Sequence, residues 1–111
     1  DYAGGENAVK KLLDRNVEFD AIFSFTEMSA LGAKNYLQSR GVRIPEDVAV
    51  ACMSGTDLCK LVHPTITAVE QPVQMMAETA SEVILEKLET PDVANKKIVL
   101  DAETFYREST L

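Results

Sequence analysis

Apolar positions recur along this chain with two alternating periods, and the alternation predicts its fold. Over residues 5–15, Ala8, Val9, Leu12 and Leu13 keep the three-to-four spacing of one helix face. "VEFDAIFSF" (17–25) then gathers β-branched and aromatic residues in a short run, which predicts a strand. Helix-forming residues return in "EMSALGAKNYLQSR" (27–40), and Gly41 stands where a helix end favours a residue of positive φ. "VAVAC" (48–52) is a continuous apolar run, the pattern of a strand covered on both faces. A helical turn near 57–62 and a third strand at "TITAVE" (65–70) follow, and Pro72 suits the start of the next helix.

That helix, 73–88, carries the clearest signal: Val73, Met76, Ala77, Ala80, Val83, Ile84 and Leu88 fall on one face. Opposite them Glu78, Glu82 and Glu86 stack four residues apart. Such like-charge pairs cost about 0.2–0.5 kcal/mol each, so the acidic stripe reads as a solvated face. "ETPDVANKK" is a polar loop, and "IVLDAETFYRES" predicts two short strands, near 98–100 and 103–107. The alternation spells an α/β fold, a three-layer αβα parallel sheet. The helix at 27–40 is apolar on more than one side, through Met28, Ala30, Leu31, Ala33, Tyr36 and Leu37, with Gly32 permitting close approach. Burial against a neighbouring lobe or subunit and two-sided packing within one small domain both account for this surplus.

Composition narrows the classes. A chain of 111 residues is one domain's worth at most, and 46% apolar with 26% charged residues is ordinary globular usage. The net charge of −7 disfavours contact with nucleic acid or anionic membrane by this segment itself. No apolar run approaches the ~20 residues of a membrane span. There is no signal-peptide pattern and no initiator Met, and the chain opens inside a predicted helix, so a piece of a longer protein is expected. Cys52 and Cys59 lack metal-ligand spacing with the lone His63, and zinc needs about four partners. Cys52 reads as a small buried hydrophobe, His63 as a loop residue, and reduced thiols suit the cytoplasm. No metal or cofactor is expected.

Candidate chemistry centres on "DVAVACMSGTD" (47–57), a strand emptying into a polar turn. In open α/β sheets ligands sit beyond such carboxyl ends. Ser54 follows the strand as a nucleophile does in the G-x-S-x-G elbow, but Cys52 and Thr56 replace both glycines that relieve crowding there. With one His available as base, the nucleophile reading is set aside. No dinucleotide, P-loop or H-E-x-x-H motif occurs. These residues describe a ligand-binding type of domain without catalytic apparatus, not an enzyme.

The stretches "DAIFSFTEMSALGAKNYLQSRGVRIPEDVAV", "HPTITAVEQPVQMMAETASEVILEKLE" and "FYREST" closely resemble the effector-binding region of LacI/GalR-type bacterial transcription repressors. The resemblance spans nearly all of 1–111 and is most specific at "GVRIPEDV" (41–48) and "PTITAVEQP" (64–72). It implies an incomplete periplasmic-binding-protein-like core whose two lobes close on a small molecule, sugar-like or a related metabolite. Residues 1–70 and 103–109 would form the C-terminal lobe and 73–100 part of the N-terminal lobe. Operator DNA would be bound by a helix-turn-helix outside this chain, in a cytoplasmic homodimer with no membrane contact. A periplasmic solute-binding protein of a sugar transporter is the alternative, since it shares the fold.

The resemblance also implies site residues. The family's Asn-Asp pair after the first strand corresponds to Thr26-Glu27, and its Gly-Phe/Tyr-Asp-Asp/Asn to Cys52-Met53-Ser54-Gly55. Gln71 matches the Gln at the crossing between lobes, and Val73 occupies a position that can be aromatic. Effector contacts are thus expected from Thr26, Glu27, Met53, Ser54, Gln71 and Val73, with only Gln71 an intact match. An aromatic that stacks on a sugar has become Met53, and a carboxylate acceptor has become Ser54. Charge-assisted hydrogen bonds are roughly twice as strong as neutral ones. The effector is therefore anionic, less hydroxylated or held mainly by residues elsewhere, or it is sugar-like with altered choice. The dimer positions are Met28, Leu31, Leu61 and Val62.

Overall fold

A computed structural model describes residues 1–111. The elements run α1 (Tyr2–Asp14), β1 (Ala21–Ser24), α2 (Glu27–Ser39), β2 (Ala49–Met53), α3 (Leu58–Leu61), β3 (Thr67–Glu70), α4 (Val73–Glu89) and β4 (Glu103–Phe105). The strands form one sheet in the order β1-β2-β3-β4. β1 pairs in parallel with β2, Ile22 opposite Val50, and β2 with β3, Cys52 opposite Ala68. The predicted strand near 98–100 is absent: these residues are irregular, with Ile98 and Val99 49% and 75% exposed. A strand needs a partner for its backbone N–H and C=O groups, and this segment has none.

The chain divides into two compact units, Asp1–Glu70 with Thr104–Leu111, and Gln71–Glu103. In the first, a single core cluster joins Val9 of α1, Ala30, Ala33 and Leu37 of α2, Val50 and Cys52 of β2, Cys59 of α3, and Ile66 and Ala68 around β3. Register explains the membership, because Ile22, Val50, Cys52 and Ala68 share one face of the sheet. The other face of β1 and β2 has no such cover: Phe23 is 63% exposed, and Ala49, Ala51 and Met53 are half-buried. The apolar run at 48–52 therefore has one of its two predicted covers within this unit.

Helices α1 and α2 touch backbone to backbone. A Cβ on Gly5 would stand 2.0 Å from the Ser29 carbonyl oxygen, and one on Gly32 the same distance from that of Tyr2. The close approach at Gly32 is thus an intrachain contact with α1. Asp1 caps α1 by accepting from the Gly4 N–H, and Thr26 caps α2 by accepting from Ser29. At the end of α2, Gly41 takes φ +80°, as the sequence predicts. Ser109, wholly buried, fastens the last residues to the sheet: its hydroxyl donates to the Val50 carbonyl and accepts from the Thr67 N–H.

In the second unit α4 has no buried residue. Met76, Ile84 and Leu88, on its predicted apolar face, are 45%, 59% and 72% exposed. Glu86, of the predicted acidic stripe, pairs with Lys96.

Candidate functional site

Parallel pairing of β1 with β2 brings the turns after the two strands side by side, and four expected contact residues lie on them. Thr26 caps and Glu27 opens α2, while Met53 ends β2 and Ser54 follows it. Each is half-buried. Gln71 and Val73 lie in the second unit, Gln71 just before α4 and Val73 as its first residue.

The four differ in what their polar groups already do. The Thr26 hydroxyl is 2.8 Å from that of Ser29 and also accepts from the Ser29 N–H, so it serves the helix start. Ser29 in turn bonds Ser24 and the Thr26 carbonyl. Oε2 of Glu27 accepts from the Thr56 N–H at 2.8 Å and from the Thr56 hydroxyl at 2.7 Å. Ser54 stands at φ +60°, the left-handed region where non-glycine residues are uncommon and Asn and Asp are favoured. Its hydroxyl has no partner in the protein. The site that the resemblance gives an Asp is thus a backbone position suited to Asp, with a free hydroxyl in its place.

The neighbouring groups fix the turn. Gly55 is required, since a Cβ there would stand 2.3 Å from the Ala68 Cβ. Thr56 leads into α3: its hydroxyl accepts from the Leu58 N–H, and its carbonyl from the Cys59 N–H at 3.1 Å. Cys52 and Cys59 are fully buried free thiols, their sulfurs within hydrogen-bond reach at 3.8 Å and not joined as a disulfide. Burial pushes the Cys52 thiol up to about 12 and raises that of Cys59 as well. Burial thus disfavours the thiolate form of both, which argues against a role as nucleophile or metal ligand. No group of His, Cys, Asp or Glu is arranged to hold a metal ion. His63 is exposed on its loop, 3.2 Å from Glu108, and belongs to no catalytic pair with Ser54.

Reading by residue type missed three members of this region. Thr56 was legible only as part of a polar turn, and Ser29 as the third helical residue after a Thr cap, a spacing that signals capping. Arg107 gave no local signal. Its guanidinium is nearly buried, donating to the Ile66 carbonyl at 2.8 Å and to Glu70 at 2.6 Å, and lies 5.3 Å from the Phe105 ring centre.

At the proposed dimer positions, Leu61 is 81% and Met28 42% exposed, while Leu31 and Val62 pack against the core's edge. Lys34, one turn on from Leu31, donates to the His63 carbonyl at 2.8 Å and so sets that side of α2 against the segment after α3.

Comparison with known proteins agrees with this architecture. The profile of the periplasmic binding protein-like domain matches residues 2–110. The HTH-type transcriptional regulator MalR of Clostridium butyricum is 38% identical over 101 residues, 91% of this chain and 30% of that protein. The cellobiose complex of the transcriptional regulator CelR superposes with a TM-score of 0.91 at 30% identity, over 97% of this chain and 33% of the other. A LacI family regulator from Enterococcus faecalis with bound ribose gives 0.90 at 29%, over 98% and 40%. The chain thus spans about a third of the length of the curated relatives it matches. These relatives are transcription regulators, not transport proteins. With its parallel sheet, its rim at the strand ends and these relatives, the chain belongs to the periplasmic binding protein-like domain family, in the form carried by LacI-family transcriptional regulators.

Proposed function

We propose that this chain is part of the effector-binding and dimerisation region of a LacI-type transcription regulator, without catalytic activity. One observation carries the reading. The free Ser54 hydroxyl, on a left-handed backbone at the carboxyl end of β2, adjoins the Thr26-Glu27 turn after β1. A non-glycine residue held at positive φ is strained, and strain of that kind clusters at ligand sites. Thr26, Met53 and Ser54 are the proposed effector contacts on the first unit, and Glu27 belongs to the same rim. Gln71 and Val73 are proposed from the resemblance alone. Residues 1–70 and 103–109, most of which lie in the first unit, are proposed as C-terminal lobe material and residues 73–100 as N-terminal.

The effector is a small neutral, sugar-like molecule. Cellobiose and ribose are the ligands bound by the two structural relatives. The cations around α3 and β3 are already spent, Lys60 on Asp57 and Arg107 on Glu70, which argues against an anionic ligand. Binding would shift the relative stability of two lobe arrangements, and so control operator DNA held by a helix-turn-helix elsewhere in a cytoplasmic protein. Homodimerisation is proposed through Met28, Leu31, Leu61 and Val62, where Leu61 offers an exposed apolar side chain.

Calorimetric titration of an intact protein carrying this chain with neutral mono- and disaccharides tests the reading. A saccharide whose binding weakens about tenfold on Ser54→Ala is expected, the factor for one lost hydrogen bond. Binding of phosphorylated sugars only, or of none at all, would overturn it.

A further inference from the structure

Glu27 has the position of a ligand contact and the hydrogen bonds of a structural tie. We infer that it is a positioning residue: its carboxylate latches the turn after β2 to the first residue of α2, and so couples the ligand rim to the helix that carries the proposed dimer face. The latch rests on geometry alone, while its consequence for ligand rests on the reading proposed above.

Three pins hold the turn that carries Ser54. On the sheet side Gly55 sits where no Cβ fits against Ala68. On the α3 side the Thr56 hydroxyl and carbonyl accept from the N–H groups of Leu58 and Cys59, the latter buried in the core. On the α2 side the only polar tie is Glu27, whose Oε2 takes both the N–H and the hydroxyl of Thr56 and lies 3.8 Å from the Cys59 sulfur. A carboxylate suits this task, because one anionic oxygen accepts several donors and charge strengthens each bond. Loss of the first two pins would break the core, whereas loss of the third would free the turn without unfolding the domain. Because Glu27 is the first residue of α2, movement of the turn is passed to Met28 and Leu31 through a stiff helix rather than a loop. A ligand seated on Ser54 therefore has, in this carboxylate, a direct polar link from its turn to α2.

Cys59 reports on the latch. It is fully buried beside Glu27, and in a Cys52→Ala background it is the sole thiol. Labelling by Ellman's reagent under native conditions then measures opening of the 54–59 turn. Glu27→Ala is expected to speed labelling about tenfold, the factor for a lost hydrogen bond to a charged group. Thr56→Val should speed labelling less in the Glu27→Ala background than in the parent, because its bond to Glu27 is then already gone and only its bond to the Leu58 N–H remains to be lost. Glu27→Gln, whose amide oxygen still accepts from Thr56, should restore slow labelling to within about threefold of the parent. Val9→Ala, matched in urea midpoint, is the control for general loosening. Labelling no faster in Glu27→Ala than in that control would overturn the latch, as would a Gln variant as fast as Ala.

In an intact protein carrying this chain, cellobiose and ribose are the probes. The sugar that binds should slow Cys59 labelling, and Glu27→Ala should weaken its affinity about tenfold. Faster labelling with unchanged affinity would overturn the coupling to the site. If neither sugar binds the parent protein, the functional reading fails on this arm and takes the coupling with it, while the labelling rates still judge the latch.

Discussion

The ammonium of Lys34 donates to the His63 carbonyl oxygen at 2.8 Å from a residue only 2% exposed, with Gln38 as its other partner and no carboxylate in contact. A helix that is otherwise alanine, glycine and leucine on its buried sides thus carries one charge into the interior. What the charge gives is a polar bridge from α2 to the segment after α3.

Burial lowers the Lys34 pKa from 10.5, and the sign of its effect on stability follows. Below the lowered value the side chain is charged in both states, and its burial cost is fully felt. As pH rises through that value toward 10.5, the folded state sheds its proton first and stability recovers. The thiols act the other way: Cys52, pushed from 9.0 to about 12, loses its contribution as pH rises from 9.0 upward. The difference between parent and variant isolates the lysine. Lys34→Met should lie within about 1 kcal/mol of the parent at neutral pH, since relief of desolvation offsets the orphaned carbonyl. Its urea midpoint should lack the parent's alkaline gain. Unfolding series from pH 7 to 10 on both proteins check this.

Gly5→Ala sets two magnitudes against each other. Alanine in a helix interior gains about 1 kcal/mol over glycine. Here the new methyl would stand 2.0 Å from a carbonyl oxygen of α2, and backbone cannot step aside as a flexible side chain does. Overpacking costs about 1–3 kcal/mol, so the variant should be less stable despite its better propensity. Gly32→Ala meets the Tyr2 carbonyl and should behave alike. Gly4→Ala faces only the Asp1 side chain and should be close to neutral. Urea midpoints for the three rank the effects, and a stabilised Gly5→Ala would refute the crossing.

These glycines mark where the sequence was and was not legible. The sequence pattern locates every helix and all four strands, and adds one strand that does not form, because apolar spacing reports which face is buried. It cannot report which neighbour does the burying. Gly32 therefore read equally as a subunit contact or an internal one, and α1 decided the matter. The stretch at 98–100 has strand composition without a strand to pair with, and composition is silent on partners. At the rim, the strand end was legible from the β2 pattern, and the residue positions from the resemblance. The Glu27–Thr56 tie was not legible, because it joins residues 29 apart through a turn whose shape only the fold sets.

Ser54 should reveal its backbone through substitution. At φ +60° a β-branched residue meets the following carbonyl, so Ser54→Val should cost about 1–2 kcal/mol. Ser54→Gly should be neutral or slightly stabilising, and Ser54→Asn tolerated, since both adopt that region readily. Ser54→Asp restores the side chain that the resemblance expects there. It should fold normally and bind a polyhydroxylated ligand more tightly than the parent, because a carboxylate accepts two hydroxyls where Ser offers one weaker partner. Thermal unfolding orders the stabilities, and titration of the Asp variant in an intact protein tests the affinity.

Helix α4 leads to a prediction about solution behaviour of the 111-residue chain. Its apolar face is unmet within its own unit, with Val73, Ile84 and Leu88 each more than half exposed. A groove of about 360 Å³ beside it is lined by Met76, Val83, Ile84, Ile98 and Leu100. Burying a side chain such as Ile or Leu is worth about 1.5–3 kcal/mol, so an exposed stripe of this length drives association or repacking. The acidic side, through Glu78, Glu82 and Glu86, does not oppose this, since it faces away from the apolar stripe. Light scattering on the isolated chain should give a mass above the monomer that rises with concentration. Ile84→Glu with Leu88→Glu should return it toward the monomer without loss of helical circular dichroism. A well-folded monomer in the parent chain, with those residues protected from solvent, would mean that the stripe has found a partner inside its own molecule.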